Sequence, residues 1–200
     1  MVGSPGPCYN SPMAVPTAER RNFLALLIDA AGYPLGMSFL SIQVILPGFL
    51  GEMGANNLLI GLVPALANLG LFLPPVFMAA WTERRDYVRL PLFYLAVLER
   101  LPLALLGIAA WRWGRGNPAL LLLAFFFCWG WNNLVTGLNM PLYMTLVAKA
   151  SHPARRGLLF GLGGAAGGFL GAIGAVLSRA VLLRFGFPTG YALCFAAGFG

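Results

Sequence analysis

Three ionisable residues stand in stretches of this sequence where water should be scarce. Asp29 falls inside the apolar run Phe23–Leu50, and Glu99 and Arg100 are neighbours inside Leu90–Trp111. A charged side chain at the centre of a bilayer costs about 2.5–3.5 kcal/mol on insertion scales, so such groups are functional suspects by default. Successive helical residues point about 100° apart, so Glu99 and Arg100 need not pair with each other. Counted from the ends of their runs at about 1.5 Å per residue, Asp29 lies about 10 Å deep and Arg100 about 16 Å, within side-chain reach across two helices. The chemistry open to the three is protonation of Asp29 or Glu99 during transport, binding of a charged solute, or a structural ion pair.

Polar amides form a second group. Gln43, Asn68, Asn132, Asn133 and Asn139 also fall inside apolar runs. Amides at such depth either bond a neighbouring helix or line a wet cavity. Gln43, Asn68, Asn132 and Asn133 are the candidates for a lined pathway. Enzyme chemistry finds no support. There is no Ser-His-Asp set, no HExxH, no phosphate loop and no paired acidic metal motif. Cys8, Cys128 and Cys194 are far apart without CxxC spacing, and the single histidine, His152, sits in a polar loop beside Pro153. No catalytic residue, cofactor or metal is expected.

The elements that must position these residues follow from composition. Of 200 residues, 59% are hydrophobic and only 10% charged, against about 25% charged in an ordinary soluble domain. So few charges cannot cover a water-facing surface, and the surplus apolar side chains must face lipid. The net charge of +7 comes from short basic clusters between apolar runs. Those are topology signals and contacts for anionic lipid heads, with no nucleic-acid surface.

Crossing a bilayer takes about 20 apolar helical residues. By that measure residues 1–20 are a flexible cytoplasmic tail rich in Pro, Ser and Gly, and residues 21–200 a membrane domain. The expected spans are Phe23–Leu50, Leu58–Trp81, Leu90–Trp111, Pro118–Ala148 and Gly157–Leu183, with a sixth run, Pro188–Gly200, too short to cross. No run alternates as a barrel strand would. The fold class is therefore all-α, a polytopic membrane bundle whose short connections make neighbouring helices antiparallel. With the amino terminus inside, Arg20, Arg21, Arg84, Arg85, Arg89, Lys149, Arg155 and Arg156 are cytoplasmic, against Arg112, Arg115 and Arg184 outside. That asymmetry predicts a cytoplasmic amino terminus. Trp81, Trp111 and Trp113 fall at span ends, as an aromatic belt requires, whereas Trp129 and Trp131 fall inside a span.

Two motifs carry a family likeness. The connection after the second span reads Ala79-Ala-Trp-Thr-Glu83-Arg84-Arg85-Asp86-Tyr-Val-Arg89, and the entry to the fifth reads Pro153-Ala-Arg155-Arg156-Gly157-Leu-Leu-Phe-Gly161. Together with span number, loop lengths and orientation, they resemble the amino-terminal half of a major facilitator superfamily transporter, a six-helix half with its last helix cut short. The fifth-span entry matches the family pattern well. The loop motif is degenerate, with Ala79 for the leading Gly, Glu83 for Asp, and Asp86 where a second Gly is usual.

The resemblance implies a secondary transporter in the plasma membrane. It would work by alternating access on an unknown small solute, with a second half as partner beside the lipid bilayer. It also implies that Glu83, Arg84 and Arg85 bias the carrier between its access states. In the family the fifth helix packs against the opposite half. That puts Gly157, Gly161, Gly164 and Gly168, whose spacing lets backbones approach closely, at a moving interface. The family's first and fourth helices flank the pathway, which favours Gln43, Asn132 and Asn133 as lining. The competing expectations are a non-transporting membrane scaffold, a decayed transporter remnant, and a membrane-embedded lipid enzyme.

Overall fold

The computed structural model describes residues 17–82 and 89–199, which form seven helices and no strand. They are α1 (Thr17–Ser38), α2 (Ile45–Glu52), α3 (Asn57–Thr82), α4 (Arg89–Trp113), α5 (Pro118–Ala150), α6 (Pro153–Phe185) and α7 (Thr189–Phe199). Glu83, Arg84 and Arg85 lie outside the described residues. Helix α1 begins at Thr17, so the last four residues of the expected tail belong to it.

Helices α3, α4, α5 and α6 are long and apolar enough to cross a membrane, and the chain has the surface of a membrane protein. Phe72, Phe77, Leu123, Phe127 and Phe169 are each 70–71% exposed. Water-soluble monomers do not carry apolar surface on this scale. Local chemistry sets the helix starts. Asn117 accepts from the Leu120 amide at 3.1 Å ahead of Pro118, and His152 caps α6 through Nδ1 at 3.3 Å from the Ala154 amide, ahead of Pro153. A polar cap followed by proline satisfies one orphan amide and removes another. Helix α6 ends at Gly186, whose φ of 60° favours glycine.

The first expected span departs from expectation. Phe23–Leu50 is not one helix: α1 stops at Ser38, residues 39–44 turn, and α2 follows, so seven helices replace six. Pro47 fits this break. In a continuous helix its ring would meet the carbonyl of Gln43 and one hydrogen bond would be lost, whereas in the first turn of α2 its missing N–H costs nothing. The turn is held by Leu40 and Leu46 amides on the Met37 and Ser41 carbonyls, both at 3.0 Å. Helix α2 then plugs one end of the bundle. Leu46, Phe49 and Leu50 are fully buried, and Phe49 packs on Phe195 (4.9 Å between ring centres), Tyr191 (5.3 Å) and Phe125 (5.8 Å).

Helix α1 runs along α6, α5 packs on both α3 and α4, and α7 packs on α4. The proline kinks are built into these contacts. Each proline frees the carbonyl four residues earlier, and within a membrane a neighbouring helix must meet it. Leu98, freed by Pro102, accepts from Trp131 Nε1 at 3.2 Å. Gly137 lies directly on the Gly70 carbonyl freed by Pro74, and Gly167 on the Ala30 carbonyl freed by Pro34.

The α1–α6 contact uses a different set of glycines from the expected stripe. A Cβ at Gly157, Gly161, Gly164 or Gly168 would meet nothing within 4 Å. The close approach is made instead by Gly163 against Ala30, Gly167 and Gly171 against Pro34, and Gly174 against Ser38. A Cβ at Gly167 would sit 2.8 Å from Pro34 Cγ and 3.1 Å from the Ala30 carbonyl. Gly167→Leu should therefore destabilise the chain by about 1–3 kcal/mol or more, as overpacking does. Gly168→Leu should change stability by no more than about 0.5 kcal/mol. Thermal unfolding of the two variants in detergent distinguishes them, and equal melting points would show that α1 does not seat on this stripe.

Candidate functional site

A partly open cavity of about 590 Å³ lies among α1, α4, α5 and α6. It is bordered by residues 25–34 of α1, the first halves of α4 and α6 and the second half of α5, so it lies toward the end of the bundle where α4 and α6 begin and α5 ends. The aromatic plug of α2 follows the far end of α1. Asp29, Glu99 and Arg100 all border this cavity. At about 1.5 Å per residue, Asp29 is about 18 Å along α1 and Glu99 about 15 Å along α4.

Glu99 is the best-anchored member. Its side chain is 8% exposed, and Asn139 Nδ2 donates to its Oε2 at 3.1 Å. Its backbone carbonyl accepts from Asn132 Nδ2 at 2.8 Å. Asp29 is more exposed, and it lies within electrostatic reach of the hydroxyls of Tyr33 and Tyr143. Tyr33 also feels the charges of Glu99 and Arg100, which ties the three ionisable groups to one another through a shared neighbour. The rest of the wall is largely apolar, with Leu26, Met140, Met144 and Phe160 among it.

The four amides expected to line a pathway do not border this cavity. Asn132 is buried and ties α5 to α4 through the Glu99 carbonyl. Asn133 and Asn68 donate to carbonyls one turn back on their own helices, Trp129 at 2.8 Å and Pro64 at 2.9 Å. Gln43 lies in the turn between α1 and α2, its Oε1 near Ser41 Oγ at 3.5 Å. The residues that do border the cavity beside the charges are Thr136, Asn139, Met140 and Tyr143 on α5, and Tyr33 on α1. Their signal is present in the sequence. Positions 136, 139, 140 and 143 follow the three-and-four spacing of one helix face, and Tyr33 is one turn beyond Asp29.

Three donors from one short stretch of α5 fix the helices that carry the site. Trp129 Nε1 donates to the Val63 carbonyl of α3 at 3.0 Å, Trp131 Nε1 to Leu98 of α4, and Asn132 to Glu99 of α4. Trp129 is buried as expected for an indole within a span, while Trp131 is 42% exposed yet bonded. Trp131→Phe should cost about 1 kcal/mol, the net worth of one hydrogen bond. Denaturation of that variant in detergent measures it, and a loss near zero would mean that Leu98 finds another donor.

No group of His, Cys, Asp and Glu able to hold a metal ion occurs among the described residues. No protein-family model matches the chain, and no curated protein or solved structure matches it. The class defined by these helices and their lipid-compatible surface is the polytopic helical membrane protein.

Proposed function

We propose that the chain is the amino-terminal half of a secondary transporter of the major facilitator type, acting by alternating access on a small solute. The observation that carries this reading is the meeting of Asp29, Glu99 and Arg100 on one cavity bounded by four helices. Charges at membrane depth that converge on a cavity mark solute or ion pathways.

The packing pattern adds support. Counting α1 with α2 as segment one and α3 to α7 as segments two to six, exchange each segment with the one three places on. The pair one–five (α1 on α6) then becomes four–two (α5 on α3), three–four (α4 on α5) becomes six–one (α7 on α1), and three–six and one–four map onto themselves. All of these pairs are in contact. Two pairs break the pattern: five–six (α6 on α7) and one–two (α2 on α3) have no comparable counterpart in α3 on α4 or α5 on α6. A three-plus-three internal repeat of this kind underlies transporter halves of the major facilitator type.

In this reading the membrane is the plasma membrane and the amino terminus is cytoplasmic, the side that the basic clusters favour. The cavity then faces the cytoplasm while α2 closes the outer end. The opposing wall comes from a second half or a second copy. Proteoliposomes carrying the protein at high density, incubated with a cell metabolite extract and read by mass spectrometry, test this. At least one solute should accumulate with the native chain and fail to do so with Asp29→Asn combined with Glu99→Gln. Identical solute profiles for the two would refute a transport role.

A further inference from the structure

We propose that the cavity takes an amphipathic organic amine, a protonated ammonium group on an apolar body; this rests on reading the cavity as a solute site. The charge balance is the first argument. Asp29 and Glu99 supply two carboxylates to the wall and Arg100 one guanidinium. Whichever acid Arg100 offsets, one carboxylate remains, so a cation completes the site and an anion is opposed at this depth, where charges are weakly screened.

The second argument is an oriented carboxylate. Asn139 gives an Nδ2 proton to Glu99 Oε2 at 3.1 Å, which holds that carboxylate in place at the cavity wall. A fixed carboxylate attracts an ammonium group and repels a carboxylate or phosphate solute. The third argument is the remaining wall, where Leu26, Met140, Met144 and Phe160 offer an apolar seat, and Tyr33 and Tyr143 add aromatic rings that attract cations. Methionine adapts to varied apolar shapes, so the body of the amine is recognised by size and greasiness more than by outline.

Equilibrium binding to the full chain in lipid nanodiscs tests the proposal without any transport step. The probes are 2-naphthylethylamine, 2-naphthylethanol and 2-naphthylacetate, matched in their aromatic body and differing in charge. The amine should bind saturably and at least about tenfold more tightly than the other two. Asp29→Asn and Glu99→Gln should each lose about tenfold, and Asp29→Glu, which keeps the charge, should hold affinity within about threefold. Monodisperse elution of each variant checks that it is folded.

Tighter binding of 2-naphthylacetate, lost in Arg100→Gln, would overturn the amine assignment while leaving the cavity a solute site. Amine binding equal in all variants would be partition into lipid and would overturn it too, as would no saturable binding of the amine. Saturable, charge-dependent amine binding with no solute uptake in proteoliposomes would sustain the assignment and remove the transport reading.

Discussion

Glu99→Gln is expected to cut pH-driven uptake by at least about tenfold, a loss of about 1.4 kcal/mol or more, and to flatten its dependence on an imposed pH gradient. The substitution isolates charge from structure. Glutamine keeps an oxygen able to accept from Asn139 Nδ2 at the Oε2 position, and the Asn132 bond to the residue 99 backbone is untouched. The fold should therefore survive with its melting point nearly unchanged. What disappears is a group that can exchange a proton at a site 8% exposed and bordering the cavity. Asp29→Asn, on the opposite wall, is the companion variant. Because Asp29 is more exposed, its loss should weaken solute binding as well as coupling. Uptake into acid- and alkali-loaded vesicles reads both effects, and unchanged pH profiles in both variants would rule out coupling through these carboxylates.

Phe49→Ala should be the most damaging substitution in the core. Phe49 is fully buried and meets four rings, those of Phe125, Phe187, Tyr191 and Phe195, at 4.9–6.2 Å between centres. Truncation leaves a hole that rigid neighbours cannot collapse into, at a cost of about 3–5 kcal/mol. Lipid tails are as apolar as the core, so the loss is one of packing more than of transfer from water. Phe49→Leu should recover much of it. The melting temperature in detergent should fall steeply for the alanine variant. A loss below about 1 kcal/mol would mean that α2 is not part of the packed core.

The long helices were legible because lipid imposes simple demands. Expected spans Leu58–Trp81 and Pro118–Ala148 differ from α3 and α5 by no more than two residues at either end. The interruption of the first span was hidden because Phe39, Leu40, Ile42 and Val44 are apolar in the turn as they would be in a helix. Only Pro47 and the serines nearby signalled it. In α6 the glycines form two interleaved stripes at the same spacing, and spacing cannot tell which one meets α1. That depends on Pro34 and Ala30 of the partner. At the site, Asp29, Glu99 and Arg100 stood out by their cost in lipid. Asn132 carries no mark in the sequence separating an interhelical bond from a cavity lining, since an amide in lipid serves either use. Tyr33 and Tyr143 were missed because tyrosine is unremarkable in an apolar run, although their register pointed the same way.

The hydrogen bonds of Trp129, Trp131, Asn132 and Asn139 all stay within the α3–α4–α5 group. Helix α1 leans instead on α6, glycine to proline, and touches α5 and α7 at few points. The molecule thus has a stitched body and a leaf tied to it by few polar links, Asp29 with Tyr143 among them, with the cavity in the gutter between. A small swing of the leaf would widen or narrow that gutter and leave the body's own stitches intact. Since Asp29 rides on the leaf and Tyr143 on the body, the swing would also reset the surroundings of that carboxylate.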